Sequence, residues 1–411
     1  MAAERGSAAS LHGLGVLCGL AAGVWLGAAE APTKLVDAGF SPFAISLCMV
    51  AGVFTARWTF PTLMKGTGFV FADLAAKPHL IVWAILAGSL WAVANTLTVF
   101  AIRDVGLAIA FPLWNANSLI GLLWGVLLFR ELRGAKKANK LKVVLGGICI
   151  VIAAILLGFS TLQGGGNAAP HAVRGLLAAA GASLMWGTMY VPYRKAYLSG
   201  LNPLSFVTVF TIGELVSMVL LTWTLDGSDS IPRLLEQRQM IFWLFLGGFV
   251  WVIGDLFQQF ATKYLGIGRG IPLSNTNQLW GLAWGALVFG ELASADRSHV
   301  ILVVGGSLLM IAGALAISTA AACENEARSQ EEAVERETLR YGSQARKAGS
   351  HRRWWDWIIV LAAIALFVRL GSEASLPPLA MDWGWVTALC VMLAAALGIG
   401  AWALWARTRF E

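Results

Sequence analysis

The chain has 411 residues, of which 58% are hydrophobic and only 13% charged, and its mean hydropathy is +0.70. A soluble domain carries about 25% charged residues, so this composition excludes a soluble globular protein and points to one embedded in a bilayer. The net charge of +7 fits basic loops held at the cytoplasmic face rather than a surface for nucleic acid.

Hydrophobic runs of about 20 residues predict transmembrane helices, not a barrel. The first ten spans cover 11–31, 40–60, 79–102, 106–129, 141–160, 174–191, 203–223, 240–261, 268–289 and 299–321. Arg5 precedes the first span, which runs past any plausible cleavage site, so the N-terminus is expected to be retained. A charged stretch, 322–353, follows the tenth span and reads as a cytoplasmic linker. Two further spans, 354–370 and 383–406, close the chain. Cys18, Cys48, Cys149 and Cys390 lie in apolar runs and Cys323 in a polar one. With no CxxC or Cys/His cluster, neither a disulfide framework nor a metal site is expected. No phosphate-cradling loop or nucleophile–base pair is evident either, so the chain is expected to be no enzyme and to need no cofactor.

"PLWNANSLIGLLWGVLLFRELRG" (112–134) returns 160 residues later as "PLSNTNQLWGLAWGALVFGELAS" (272–294). At that offset, 88–132 aligns with 248–292 without a gap, with 18 identities in 45 positions. Trp91/Trp251, Gly106/Gly266, Pro112/Pro272, Asn115/Asn275, Asn117/Asn277 and Glu131/Glu291 are among them. The first ten spans therefore read as two five-helix repeats, 1–160 and 161–321, followed by the linker and a two-helix appendage at 354–411. Five is odd, so the second repeat is expected to lie inverted in the membrane. The charges agree. With the N-terminus inside, 23 of 30 Lys and Arg residues fall inside, Arg57, Arg194 and Lys195 among them, and 7 outside, Lys34 among them. Both termini are then cytoplasmic. Inverted repeats are a transporter architecture with its site near the midplane.

Buried amides are costly unless hydrogen-bonded, yet four spans carry polar stripes at helical spacing. The third presents Trp91, Asn95 and Thr98; the fourth Trp114, Asn117, Ser118, Gly121 and Trp124. The eighth presents Trp251, Asp255, Gln258, Gln259 and Thr262; the ninth Ser274, Asn277, Gln278, Gly281 and Trp284. Amides and hydroxyls pair with sugar hydroxyls, and indole rings stack on the C–H face of a pyranose. The substrate-binding candidates are therefore Trp91, Asn95, Asn117, Tyr190, Trp251, Gln258, Gln259, Asn277 and Gln278. Asn115 and Asn275 point away from the stripes and read as helix-packing amides. Glu131 and Glu291 end their spans and read as structural. Pro112 and Pro272 either kink their spans or open them beside the site. Three intramembrane carboxylates, Asp255, Glu30 and Glu214 in that order, are candidates for proton coupling.

"GSLWAVANTLTVFAIRDVGLAIAFPL", "RGIPLSNTNQLWGLAWGALVFGEL" and "SLMWGTMYVPYRKA" together resemble the drug/metabolite transporter superfamily, and within it the glucose/ribose porter and rhamnose–proton symporter branch. The resemblance covers residues 11–321. It implies two inverted five-helix repeats and sugar uptake, often with protons. Two features depart from the pattern: Glu30 stands where the second repeat has Tyr190, and the linker and last two spans lie outside the ten-helix plan. The expectation is an all-α polytopic protein of the cytoplasmic membrane, a secondary transporter of a sugar or similar neutral metabolite with protons. Its partners are that small molecule and the bilayer, not nucleic acid, and a homodimer is compatible with the appendage. An exporter of amines, amino acids or drugs, and a non-transporting scaffold or receptor acting through its tail, are the alternatives.

Overall fold

A computed structural model describes residues 8–130, 132–162, 169–227, 230–320, 332 and 353–408. The expected linker lies outside the described residues except for Glu332 and Arg353, as do Arg5, Glu131 and Cys323. Every regular element among the described residues is helical. In chain order they are α1 (Ala8–Ala29), a 3-10 turn (Ala31–Ala38), α2 (Pro42–Met64), α3 (Thr67–Ala75), α4 (His79–Val105), α5 (Leu107–Trp114), α6 (Asn117–Phe129) and α7 (Lys137–Leu162). Then come α8 (Ala169–Leu198), α9 (Pro203–Leu221), α10 (Ser230–Glu236), α11 (Arg238–Leu265), α12 (Ile267–Ser274), α13 (Asn277–Ala283) with a π-helical turn (Trp284–Val288), and α14 (Arg297–Ser318). The last two are α15 (Trp354–Glu373) and α16 (Trp383–Thr408).

Ten segments among the described residues are long and apolar enough to cross a membrane, which makes this a multi-pass membrane protein. The expected sixth and ninth spans are helical too but are not among the ten. They are the segments that carry Tyr190, and Arg269, Asn275, Asn277 and Gln278. Val82, Ile155 and Leu177 stand exposed, where lipid tails would cover them.

Local sequence sets the ends of the helices. Ser41 caps α2 by accepting from the Phe43 N–H, with Pro42 at the first position, and Asn202 followed by Pro203 does the same for α9. Between α4 and α5, and again between α11 and α12, the chain turns on one residue. These are Gly106 at φ 79° and Gly266 at φ 85°, a conformation that costs a side-chain-bearing residue dearly.

The expected fourth and ninth spans are each broken rather than continuous. Pro112 and Pro272 cannot donate to the preceding turn. A few residues on, the backbone tightens into three-residue turns at Asn115–Ala116 and Asn275–Thr276. These breaks free polar groups in the middle of the protein.

The core is a tight crossing of α2, α4, α9 and α11, flanked by α1 along α11 and α8 along α4. A Cβ at Gly88 would sit 2.0 Å from the Phe210 carbonyl oxygen, and one at Gly248 1.8 Å from that of Met49. Glycine there lets α4 meet α9, and α11 meet α2, backbone to backbone. The appended helices dock on one side: α15 against α2 and α11, α16 against α1.

Candidate functional site

The two broken helices face each other and are stitched by their asparagines. Asn115 Nδ2 donates to Asn277 Oδ1 at 2.8 Å. Asn275 Nδ2 reaches Asn117 Oδ1 at 2.7 Å, the Asn115 carbonyl at 2.9 Å and Ser118 Oγ at 3.0 Å. Beside this knot lies a cavity of about 30 Å³. Glu30, Asn115, Asn117, Tyr190, Gln258, Asn275 and Asn277 line it, with Leu26, Phe111, Trp114, Trp186 and Trp251 as apolar walls. Tyr190 donates to Gln258 Oε1 at 3.4 Å, and Gln258 Nε2 to Ser274 Oγ at 2.6 Å. That space has room for about two waters and not for a sugar ring, so the site is contracted around its own amides.

Of the residues expected at the site, Asn117, Tyr190, Trp251, Gln258, Asn277 and Glu30 meet at this cavity. The others do not line it. Trp91 stands behind the wall in a triangle of indoles, its centroid 5.7 Å from Trp186 and 5.1 Å from Trp251. Asn95 donates to Ser46 Oγ at 3.1 Å. Gln259 donates to Asp255 Oδ1 at 2.7 Å and accepts from the Tyr197 hydroxyl. Gln278 is buried, and neither amide atom has a hydrogen-bond partner among the described residues. Sequence reasoning missed Trp186, although it lies one turn before Tyr190 and so on the same helix face. Asn115 and Asn275 join helices, as their direction suggested, and also line the cavity.

The three carboxylates differ sharply. Glu30 is buried at the cavity, and its Oε2 has no partner among the described residues. Asp255 and Glu214 sit apart from the cavity and share one cation, Arg57. Its Nη2 is 2.6 Å from Asp255 Oδ2 and its Nη1 3.4 Å from Glu214 Oε1. The guanidinium carbon lies 4.1 Å from the Phe210 ring and 5.2 Å from that of Trp251. Arg57 is thus no loop charge, as the count of inside residues had it. It is fully buried within α2 and ties α2 to α9 and α11. The intramembrane ionisable groups include this arginine as well as the three carboxylates.

Lys34 and Glu291 likewise act together. Lys34 Nζ is 2.8 Å from Glu291 Oε1. The Glu291 carboxylate also accepts from the Leu107 and Ala108 N–H groups at 3.0 and 2.7 Å. It therefore caps α5, where the free amides and the helix dipole favour a negative charge. Beside it a wider space of about 380 Å³ is lined by Lys34, Asp104, Glu291 and His299 among others. Asp104 is held there by Arg174 at 2.6 Å and Arg103 at 3.1 Å.

Ten membrane-capable segments among the described residues, packed with two broken helices that meet at a pocket of amides and indoles, define a multi-pass membrane protein. The family described as "Sugar transport protein" matches residues 41–160 and 177–342, and the chain belongs to that family. Similar curated proteins carry the name "Putative sugar uptake protein". One from Listeria innocua serovar 6a is 22% identical over 61% of this chain and 83% of its own length. One from Listeria monocytogenes serovar 1/2a is 24% identical over 64% and 87%. One from Streptococcus pyogenes serotype M6 is 23% identical over 58% and 78%. The family match ends before α15 and α16.

Proposed function

We propose that the protein carries a sugar, or a similar neutral polar metabolite, inward across the cytoplasmic membrane by alternating access, together with a proton. The carrying observation is the cavity between the broken helices: amides and a phenol converge there between indole rings, in a member of the sugar transport family. Such walls suit a ring with hydroxyls on its edge and C–H groups on its faces. In this reading Asn117, Asn277, Gln258 and Tyr190 exchange their mutual hydrogen bonds for those of the sugar as the site expands. Trp91, Asn95, Gln259 and Gln278 form the layer behind it.

Residues 1–160 and 161–321 act as inverted halves, with both termini cytoplasmic. The gapless repeat, the odd number of spans per copy and the paired features at Gly106/Gly266 and Asn115/Asn275 support this. Lys34 and Glu291 latch the outer side. At the repeat offset, Arg194 and Glu131 are the positions in the second and first copies that correspond to this pair. Glu30 is the proton-coupling group in this scheme, because it alone of the three carboxylates lines the cavity and, among the described residues, pairs with no cation. Asp255 and Glu214, which share the one cation of Arg57, serve to hold α2, α9 and α11 as one unit.

Purified protein in proteoliposomes, with an inward proton gradient, tests this reading by uptake of labelled monosaccharides. Concentrative uptake that collapses with the gradient is expected. If no sugar is taken up, and quaternary amines compete for binding where sugars do not, the site belongs to a cationic substrate and the reading fails.

A further inference from the structure

Beside the two C-terminal helices lies a second cavity, larger than the first and of opposite character, walled on their side by α16 and the loop before it. These helices are fastened to the ten-helix core at both ends. At one end the Thr67 N–H donates to Asp356 Oδ1 at 3.3 Å, its hydroxyl donates to the same oxygen, and Trp355 Nε1 donates to Thr67 Oγ1 at 2.7 Å. At the other, Trp243 Nε1 donates to the Ser375 carbonyl at 2.7 Å, and the Asp382 N–H to the Val288 carbonyl at 3.0 Å. Farther along α16, Gly400 presses so close that a Cβ would lie 2.7 Å from the Phe257 ring. Between these fastenings α16 stands off the core and leaves a space of about 440 Å³.

We propose that this space is an acyl-chain site, occupied by one hydrocarbon tail of a bilayer phospholipid. Its walls come from α1, the turn after it, α11, the π-helical turn and α16, and include Trp25, Pro32, Val250, Trp284, Leu393 and Leu397. None of the lining residues is charged, an amide or a hydroxyl. A resident water needs about 2–4 polar partners, and a sugar needs more, so neither is suited. The volume falls in the range of roughly 300–1,000 Å³ typical of small-molecule sites. The space opens among membrane-spanning helices, where lipid tails are the surrounding fluid. Trp383 lines its loop end, as an aromatic at the level of the headgroups does. The occupant bears on the transport core through α1. That helix presents Leu26, and Glu30 just past its end, to the polar cavity, and Trp25 and Ala28 to this one.

The test uses the full chain in vesicles of phosphatidylethanolamine and phosphatidylglycerol, doped with a phospholipid whose tail carries a photoreactive diazirine. After illumination, adducts are mapped by mass spectrometry. Several-fold denser labelling of Val386, Leu393 and Leu397 than of Leu361 and Ile364, which face the bilayer from α15, is expected. Ala394→Phe fills the cavity and should abolish that enrichment, while Val391→Phe, on the exposed side of α16, should not. Should Ala394→Phe fail to fold, Ala28→Leu fills the same space from the other wall. Even labelling of α15 and α16 overturns the proposal in favour of ordinary surrounding lipid. Enrichment that survives both filling variants overturns it too. Unlabelled walls, with Cys390 cross-linking between two chains, would put a second copy in the groove instead.

Discussion

Among single residues, Arg57 carries the largest structural consequence. It neutralises Asp255 at 2.6 Å and approaches Glu214 at 3.4 Å, all three fully buried. Removing one partner of such a cluster strands buried charge and costs about 3–5 kcal/mol, whereas replacing the partners together with apolar side chains costs far less. Arg57→Ala should therefore lower the thermal unfolding temperature in detergent markedly. The triple change Arg57→Met, Asp255→Leu, Glu214→Leu should recover much of the loss. A single variant as stable as the parent would mean the cluster bears no load. Glu30 is expected to behave in the opposite way. Glu30→Gln should leave stability close to the parent and keep downhill sugar exchange, yet lose accumulation driven by a proton gradient. Accumulation undiminished in Glu30→Gln removes Glu30 from the coupling role. The polar stripes on the third, fourth, eighth and ninth spans were legible as helical spacing in the sequence. The Arg57 cluster was not. Its partners lie 157 and 198 residues away along the chain, and an arginine late in an apolar span reads by itself as a charge bound for the cytoplasmic face.

The interrupted helices decide what the elements can do. Pro112 and Pro272, each followed by asparagines, were visible in the sequence, but a proline alone does not say whether a helix bends or opens. The breaks at Asn115 and Asn275 are settled by bonds made across to the other helix, from Asn115 to Asn277 and from Asn275 to Asn117. Those are tertiary contacts beyond the reach of local pattern. The same holds for Glu291. It was read as a structural helix end, and its bonds to Lys34 and to the first two amides of α5 make it a clasp between separate segments. Glu291→Gln keeps the shape and weakens both the ion pair and the charge on the cap. It is expected to free the outer side, so that a cysteine placed at Ala108 reacts faster with an impermeant maleimide added from outside. An unchanged rate would show that the outer closure does not depend on this clasp.

For the whole molecule, the repeat at an offset of 160 residues was the strongest signal in the sequence, and it organises everything proposed for transport. The all-helical fold and its membrane-crossing character follow from composition alone, since the bilayer leaves few other ways to satisfy a backbone. The appendage was visible as two more apolar spans. Its docking on α1, α2 and α11 was not, because the contacts that fasten it, such as Asp356 to Thr67 and Trp243 to Ser375, join parts of the chain more than a hundred residues apart.

Head-to-foot halves around one shared pocket are the central claim, and the sidedness of two equivalent turns tests it most directly. Gly134→Cys and Ser294→Cys, each introduced alone into a chain freed of its own cysteines, occupy the same place in the two copies. In intact cells an impermeant maleimide should label position 294 and reach position 134 only after the membrane is opened. Labelling of both positions from the same side would contradict the inverted arrangement and the alternating-access scheme built on it.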